Sequence, residues 1–164
     1  MSNRTRILDE VQVQKKIDRM AHEILENCHG EKKIILLGIA RRGYSLAELM
    51  FKKLQSISSF EVVLVELKLG EKLEDAIYKG ADPSDFKGHT LVLIDDVLNS
   101  GTSLMKAAAG LMTLSPARLL TVVLVDRHHR LFPIRVDIVG LTLSTTMKEH
   151  IEVEFGQKPR VYLW

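Results

Sequence analysis

Residues 91–103, LVLIDDVLNSGTS, constrain the fold more than any other stretch of the chain. Leu91, Val92, Leu93 and Ile94 form an unbroken aliphatic run, as expected of a strand covered on both faces in a parallel sheet. Asp95 and Asp96 follow at once, and isolated carboxylates are costly inside a sheet, so they are expected at the strand's carboxyl end. Successive strand side chains point to opposite faces; the pair therefore splays, which suits two adjacent hydroxyls or a hydrated cation. Asn99, Ser100, Gly101, Thr102 and Ser103 then lead into a helix expected near Leu104. Their small side chains let backbone N–H groups approach an anion at the positive end of the helix dipole. Ser, Thr and Asn also cap helices with no ligand involved. The order of buried strand, acid pair, small-residue loop and helix favours a phosphosugar site at a strand end.

Further apolar runs occupy residues 34–39, 62–67, 119–125 and 136–143, with helical patterns over 10–28, 44–54 and 104–114. This alternation predicts an α/β fold with a mostly parallel central sheet flanked by helices. A length of 164 residues fits a single domain over 1–164. The polar segment 70–89, with Gly80, Pro83 and Gly88, reads as a loop or weak helix. A formal net charge of +2 gives nucleic-acid binding no compositional support. Cys28 is the only cysteine, which excludes an intramolecular disulfide and a cysteine-based zinc cluster. The start of the chain is charged and no apolar run approaches a membrane span, so a soluble, cytoplasmic protein without a membrane partner is expected.

A second strand–turn–helix unit begins with IILLGI at 34–39 and continues through Ala40, Arg41, Arg42 and Gly43. Two guanidinium groups at such a turn suit phosphate or pyrophosphate oxygens, although arginines beside a helix start are also ordinary surface charges. GIARRGYS at 38–45 nearly satisfies the P-loop pattern, but Tyr44 stands where lysine is required, which argues against an NTPase. A third strand end carries Asp126, Arg127, His128, His129 and Arg130. Asp126 is a candidate to hold Mg²⁺ directly or through water. The histidine pair lacks a carboxylate at helical spacing and reads as solvated or partner-contacting rather than zinc-binding. Lys15, Arg19 and His22 fall on one helix stripe, which reads first as a solvated face.

VLIDDVLNSGTS resembles the 5-phosphoribosyl-1-pyrophosphate (PRPP) motif of type I phosphoribosyltransferases. The likeness extends to the branch of bifunctional pyrimidine operon attenuator and uracil phosphoribosyltransferase proteins. It is carried by ILDE at 7–10, AHEILE at 21–26, GIARRG at 38–43 and LVDRHHRLFPIRVDIVG at 124–140. The resemblance implies the type I phosphoribosyltransferase fold with a small C-terminal hood. It places Asp95 and Asp96 on the ribose hydroxyls, and Ser100, Gly101, Thr102 and Ser103 on the 5′-phosphate. Ala40, Arg41, Arg42 and Gly43 take the pyrophosphate, with a cis peptide between Ala40 and Arg41. Asp126 and Arg127 join the substrate site, and residues 132–140 form the hood, with Ile138 and Val139 against the base.

The implied reaction moves the phosphoribosyl group from PRPP to a nucleobase, with Mg²⁺ as cofactor and Asp95, Asp96 and Arg41 as the catalytic set. Asn99 stands where purine-specific relatives carry an acid, which argues against a purine and leaves uracil, the base the branch resemblance implies, to give UMP. The alternative function is uridine-nucleotide-dependent mRNA binding that attenuates pyrimidine genes, with Arg19 and His22 on the RNA face and weak or absent transfer. Self-association as a homodimer or homotetramer is implied as well. The chain departs from the family at His128, where glycine is usual. It departs again over 60–89, which lacks arginine and is shorter than the family's mobile hairpin, leaving Lys68, Lys72 or Lys79 to take the arginine's part.

Overall fold

Residues 3–164 are described by a computed structural model. Strand β1 (Thr5–Leu8) meets helix α1 (Glu10–Asn27) at Asp9. There the Gln12 N–H donates to Asp9 Oδ1 at 2.8 Å, and the Asp9 N–H donates to Gln12 Oε1 at 2.9 Å. This capping box satisfies two otherwise orphaned donors. Val13, Ile17, Met20, Ala21 and Ile24 then form one buried face along α1.

The chain continues through β2 (Lys33–Ile39), α2 (Arg42–Ile57), β3 (Glu61–Lys68), β4 (Ile77–Lys79), β5 (Thr90–Leu98), α3 (Thr102–Met112), β6 (Arg118–Asp126) and β7 (Ile138–Thr142). It ends with β8 (Ile151–Glu154) and β9 (Arg160–Leu163). The main sheet has the order β4-β3-β2-β5-β6-β7, parallel except for the antiparallel edge strand β4. A smaller antiparallel sheet, β1-β9-β8, joins the two ends of the chain.

Strand alternation divides the core into two layers. Ile34, Leu36, Val92, Ile94 and Val122 pack with Ile17, Met20 and Ile24 of α1 and Leu46, Met50 and Leu54 of α2. Ile35, Leu37, Leu91, Leu93 and Val123 pack with Leu104, Ala107 and Leu111 of α3. The middle of each central strand is thus almost wholly apolar, because it has no solvent face. From β2 the chain steps outward to β3 and then returns to place β5 on the other side of β2. Such a reversal opens a crevice at the carboxyl ends of the two strands.

Three details differ from the sequence-based expectation. Helices α2 and α3 begin at Arg42 and Thr102, so residues expected in loops occupy their first turns. Segment 70–89 contains two single-turn 3₁₀ helices and β4, anchored by Phe86, which is fully buried and meets Tyr78 edge-on with ring centroids 5.5 Å apart. Strand β7 begins at Ile138, two residues beyond the start of its apolar run. No helix among the described residues is long and apolar enough to cross a membrane.

Candidate active site

The crevice between β2 and β5 gathers the sequence-predicted loops. Pairing of β2 with β5 ends at Gly38 opposite Ile94, whereas β5 continues beside β6 to Leu98. Asp95 and Asp96 therefore lie within β5 yet beyond the reach of β2, at the carboxyl end of the sheet. The start of α2 sits directly against them. A Cβ on Gly43 would come within 2.7 Å of the Ile94 carbonyl oxygen and 3.0 Å of Asp95 Cα, so glycine is required for this approach. The Ala40–Arg41 peptide is cis, as the resemblance implies, and the Ala40 N–H donates to the Leu67 carbonyl at 2.8 Å.

On the opposite wall, Gly101 is the N-cap of α3 with φ +87°, a left-handed conformation that favours glycine. It has no side chain to cap with, so the hydroxyls on either side belong to the loop rather than to a side-chain cap. Ser100 Oγ and Thr102 Oγ1 are 2.7 Å apart, and the Thr102 N–H donates to Ser100 Oγ at 3.3 Å. Together these elements enclose a cavity of about 490 Å³ lined by Ala40, Arg41, Arg42, Asp95, Asp96, Asn99, Ser100, Gly101, Thr102 and Ser103. Arg41 and Arg42 enter it from the end of β2 and the two acids from β5.

Burial pushes the Asp95 carboxyl up to about 8, with the Asp96 charge adding to the rise. Asp96 is also raised by burial, with opposition from Asp95 and backbone hydrogen bonds and from the Arg42 guanidinium. Neither acid forms an ion pair among the described residues. Asp95 Oδ1 instead accepts the Asp96 N–H at 2.9 Å. Two crowded carboxyls facing a polar cavity suit hydroxyl donors or a hydrated cation. Arg42 also reaches the smaller sheet, where its Nη2 lies 3.3 Å from Glu152 Oε1 of β8.

The other predicted residues lie elsewhere. Asp126 is 3% exposed and does not line the cavity; its oxygens accept the His128 N–H at 2.9 Å and Arg130 Nη2 at 3.1 Å. Its carboxylate is thus already hydrogen-bonded within the protein and stands apart from the cavity. Arg127 is also buried outside the cavity wall, where its guanidinium bonds Asn99 and Thr145. Ile138 is 2% exposed in the α1 layer and pairs with Val122, while Val139 packs in the α3 layer. Both are strand residues, Ile138 buried and Val139 half-buried, and neither lines this cavity. Arg19 donates to the Val139 and Gly140 carbonyls at 2.9 and 2.7 Å, whereas His22 is exposed.

Sequence reasoning missed residues 143–149, which Arg127 ties to the end of β6. The available signal was Ser144-Thr145-Thr146, a second run of small polar residues directly after an apolar strand. The β3–β4 hairpin lies beside α3, with Leu69, Leu73 and Ala107 around a separate cavity of about 230 Å³.

A sequence profile of the phosphoribosyl transferase domain matches residues 3–158. The bifunctional protein PyrR of Brevibacillus brevis is 36% identical over 96% of this chain and 93% of its own length. PyrR of Bacillus cereus is 33% identical over 100% of this chain and 99% of its own. The crystal structure of hypoxanthine phosphoribosyltransferase from Trypanosoma cruzi superposes with a TM-score of 0.72 at 16% identity, covering 85% of this chain and 81% of that one. A hypoxanthine-guanine phosphoribosyltransferase from Bacillus anthracis gives 0.71 at 16% identity, covering 85% and 82%. These two likenesses establish the fold, and the near full-length PyrR matches place the chain more narrowly: it belongs to the type I phosphoribosyltransferase family, in the branch of the bifunctional PyrR proteins.

Proposed function

We propose that the chain transfers the 5-phosphoribosyl group of PRPP to uracil, producing UMP and pyrophosphate. The observation that carries this reading is the convergence of the acid pair, the 100–103 loop and the twin-arginine turn on one cavity. The loop takes the 5′-phosphate through hydroxyls and helix-terminal N–H groups. Asp95 and Asp96 accept hydrogen bonds from the ribose hydroxyls. Ala40, Arg41, Arg42 and Gly43 take the pyrophosphate.

As uracil N1 bonds to ribose C1, the C1–O bond to pyrophosphate breaks and its electron pair leaves with pyrophosphate; the N1 proton passes to solvent. Negative charge grows at the twin-arginine end, where Arg41 meets it, while positive charge grows on the ribose beside the acids. Asp95 and Asp96 would help hold Mg²⁺ through its water shell, and the ion would supply further positive charge to the leaving group. No arginine enters from the β3–β4 hairpin, so the cationic share falls on Arg41 and Arg42. Asn99 Oδ1 accepts Arg127 Nη1 at 2.7 Å and does not act as a base toward a purine.

A second reading is supported by the word bifunctional in the relatives' names and by the exposure of Lys15 and His22 on α1. In it, UMP in the same cavity promotes binding to a structured mRNA of pyrimidine genes, with His22 and Arg19, whose guanidinium is also paired with Glu23, contributing to that face. The protein acts as one domain in the cytoplasm and self-associates as a homodimer or homotetramer.

Mixing the protein with PRPP, Mg²⁺ and uracil while following pyrophosphate tests the first reading. Release that depends on Asp95 and Asp96 is expected; no release and no stabilisation by PRPP would overturn it. UMP-dependent RNA retention that weakens with salt tests the second.

A further inference from the structure

Arg127 is the one buried arginine among the described residues, at 7% exposure. Burying a guanidinium is costly unless its donors are spent, and here they are spent in two directions. Nη1 donates to Asn99 Oδ1 at 2.7 Å, on the rim of the ligand cavity. Nε donates to Thr145 Oγ1 at 3.0 Å, and Nη2 donates to the Thr146 carbonyl at 3.3 Å and to the Glu149 carbonyl. His129 Nε2 also meets the Thr145 carbonyl. Residues 143–149 have no strand partner; their start is fixed where the Leu143 N–H meets the Asp126 carbonyl at 2.9 Å, and their far side is followed by His150, paired with Trp164. Between these anchors the guanidinium fork supplies the hold.

The location gives this clamp a consequence. Pyrophosphate sits at the end of β2 and ribose at the end of β5 under the transferase reading, on which this inference rests. A base that displaces pyrophosphate approaches C1 from the side away from the leaving group, which is the side of β6 and β7. Residues 143–149 run on from the end of β7 and are bonded to Arg127 at the end of β6, on that side of the sheet. We propose that Arg127 is a positioning residue that fixes segment 143–149 as the base-facing wall and locks it to Asn99. An arginine is needed because one planar fork serves acceptors on two separate segments, which a lysine ammonium does not match.

The test compares R127Q and R127K with the wild type. Amide hydrogen exchange reads the clamp without any ligand: segment 143–149 is expected to exchange at least about tenfold faster in R127Q, with β5 and β6 unchanged. Calorimetry then separates base from sugar phosphate. Affinity for UMP is expected to fall about tenfold and affinity for ribose 5-phosphate to stay within about twofold, because misplacing one wall costs only the contacts it makes. KM for uracil rises correspondingly, whereas KM for PRPP does not. R127K is expected to behave like R127Q. Thr145→Val, which removes one acceptor from the opposite side, gives a smaller shift with the same split and serves if R127Q fails to fold. Unchanged exchange in 143–149, or a parallel loss of both ligands, would overturn the proposal. A wild type that binds neither ligand would instead overturn the transferase reading, while the exchange result still scores the clamp.

Discussion

The ends of β5 and β6 begin alike in sequence and finish with opposite electrostatics. Both are aliphatic strands that close on aspartate and run into a polar loop at the same edge of the sheet. At β5 the acids face a cavity and form no ion pair among the described residues. At β6 Asp126 is enclosed and bonded to His128 and Arg130, while Arg127 turns inward to tie two segments together. A strand-end acid therefore does not declare its role by position. What separates ligand chemistry from architecture is whether the protein's own donors already satisfy the carboxylate.

The comparison breaks most directly through its acids. Asp95→Asn or Asp96→Asn is expected to lower kcat/KM for PRPP and uracil by about 10²- to 10³-fold, the scale of losing one group aligned with transition-state charge. Pyrophosphate release under steady-state conditions measures it. Asp126→Asn is expected to act on the other axis, costing about 1–3 kcal/mol of stability because it weakens a buried charge-assisted pair. Urea unfolding reads that cost. If Asp126→Asn matched Asp95→Asn in its effect on kcat/KM without a stability change, the division between the two strand ends would fail.

A pH series sharpens the same contrast. The folded-state value of Asp95 lies at about 8, above its ordinary range, so between pH ~4 and ~8 the folded protein holds a proton that the unfolded chain has released. Stability of the unliganded protein from this group is thus present at the acid end and is lost as pH rises through that window. Asp95→Asn should flatten the fall, so its Tm relative to the wild type rises from about pH 5 to about pH 8. An unchanged difference across the window would mean that the carboxyl is not held in its neutral form by burial.

How much could be read beforehand follows from the same physics. The β5 and β2 runs were legible because two-sided burial leaves no polar position, and the small-residue loops because approach to an anion leaves little room for side chains. β1, β8 and β9 were not: TRIL, IEVE and RVYL are four residues each, covered on one face, with Arg4 bonding Glu152 and Glu154 across the smaller sheet. Ile138 and Val139 show a different limit. An apolar pair suits a base contact or a strand equally well in sequence, and the neighbouring β6 ladder shows that both lie in a strand. Arg127 was placed in the right region, but its partners at 145–149 lie too far along the chain for spacing to reveal them.

The smallest expected effect concerns the departure at His128, within the loop after β6. Its φ of +58° lies in the left-handed region, where a side chain is disfavoured and glycine is at ease. The backbone adopts it because the His128 N–H turns back to Asp126 Oδ1, the bond that helps satisfy the enclosed acid. The imidazole itself is exposed, and the site does not require it. His128→Gly should therefore keep the turn and relieve its strain, raising stability by about 1 kcal/mol or less after the added freedom of the unfolded chain is counted. His128→Ala keeps the strain and should show no gain. A gain from alanine equal to that from glycine would assign the benefit to loss of the imidazole, and the turn around Asp126 would then carry no conformational demand of its own.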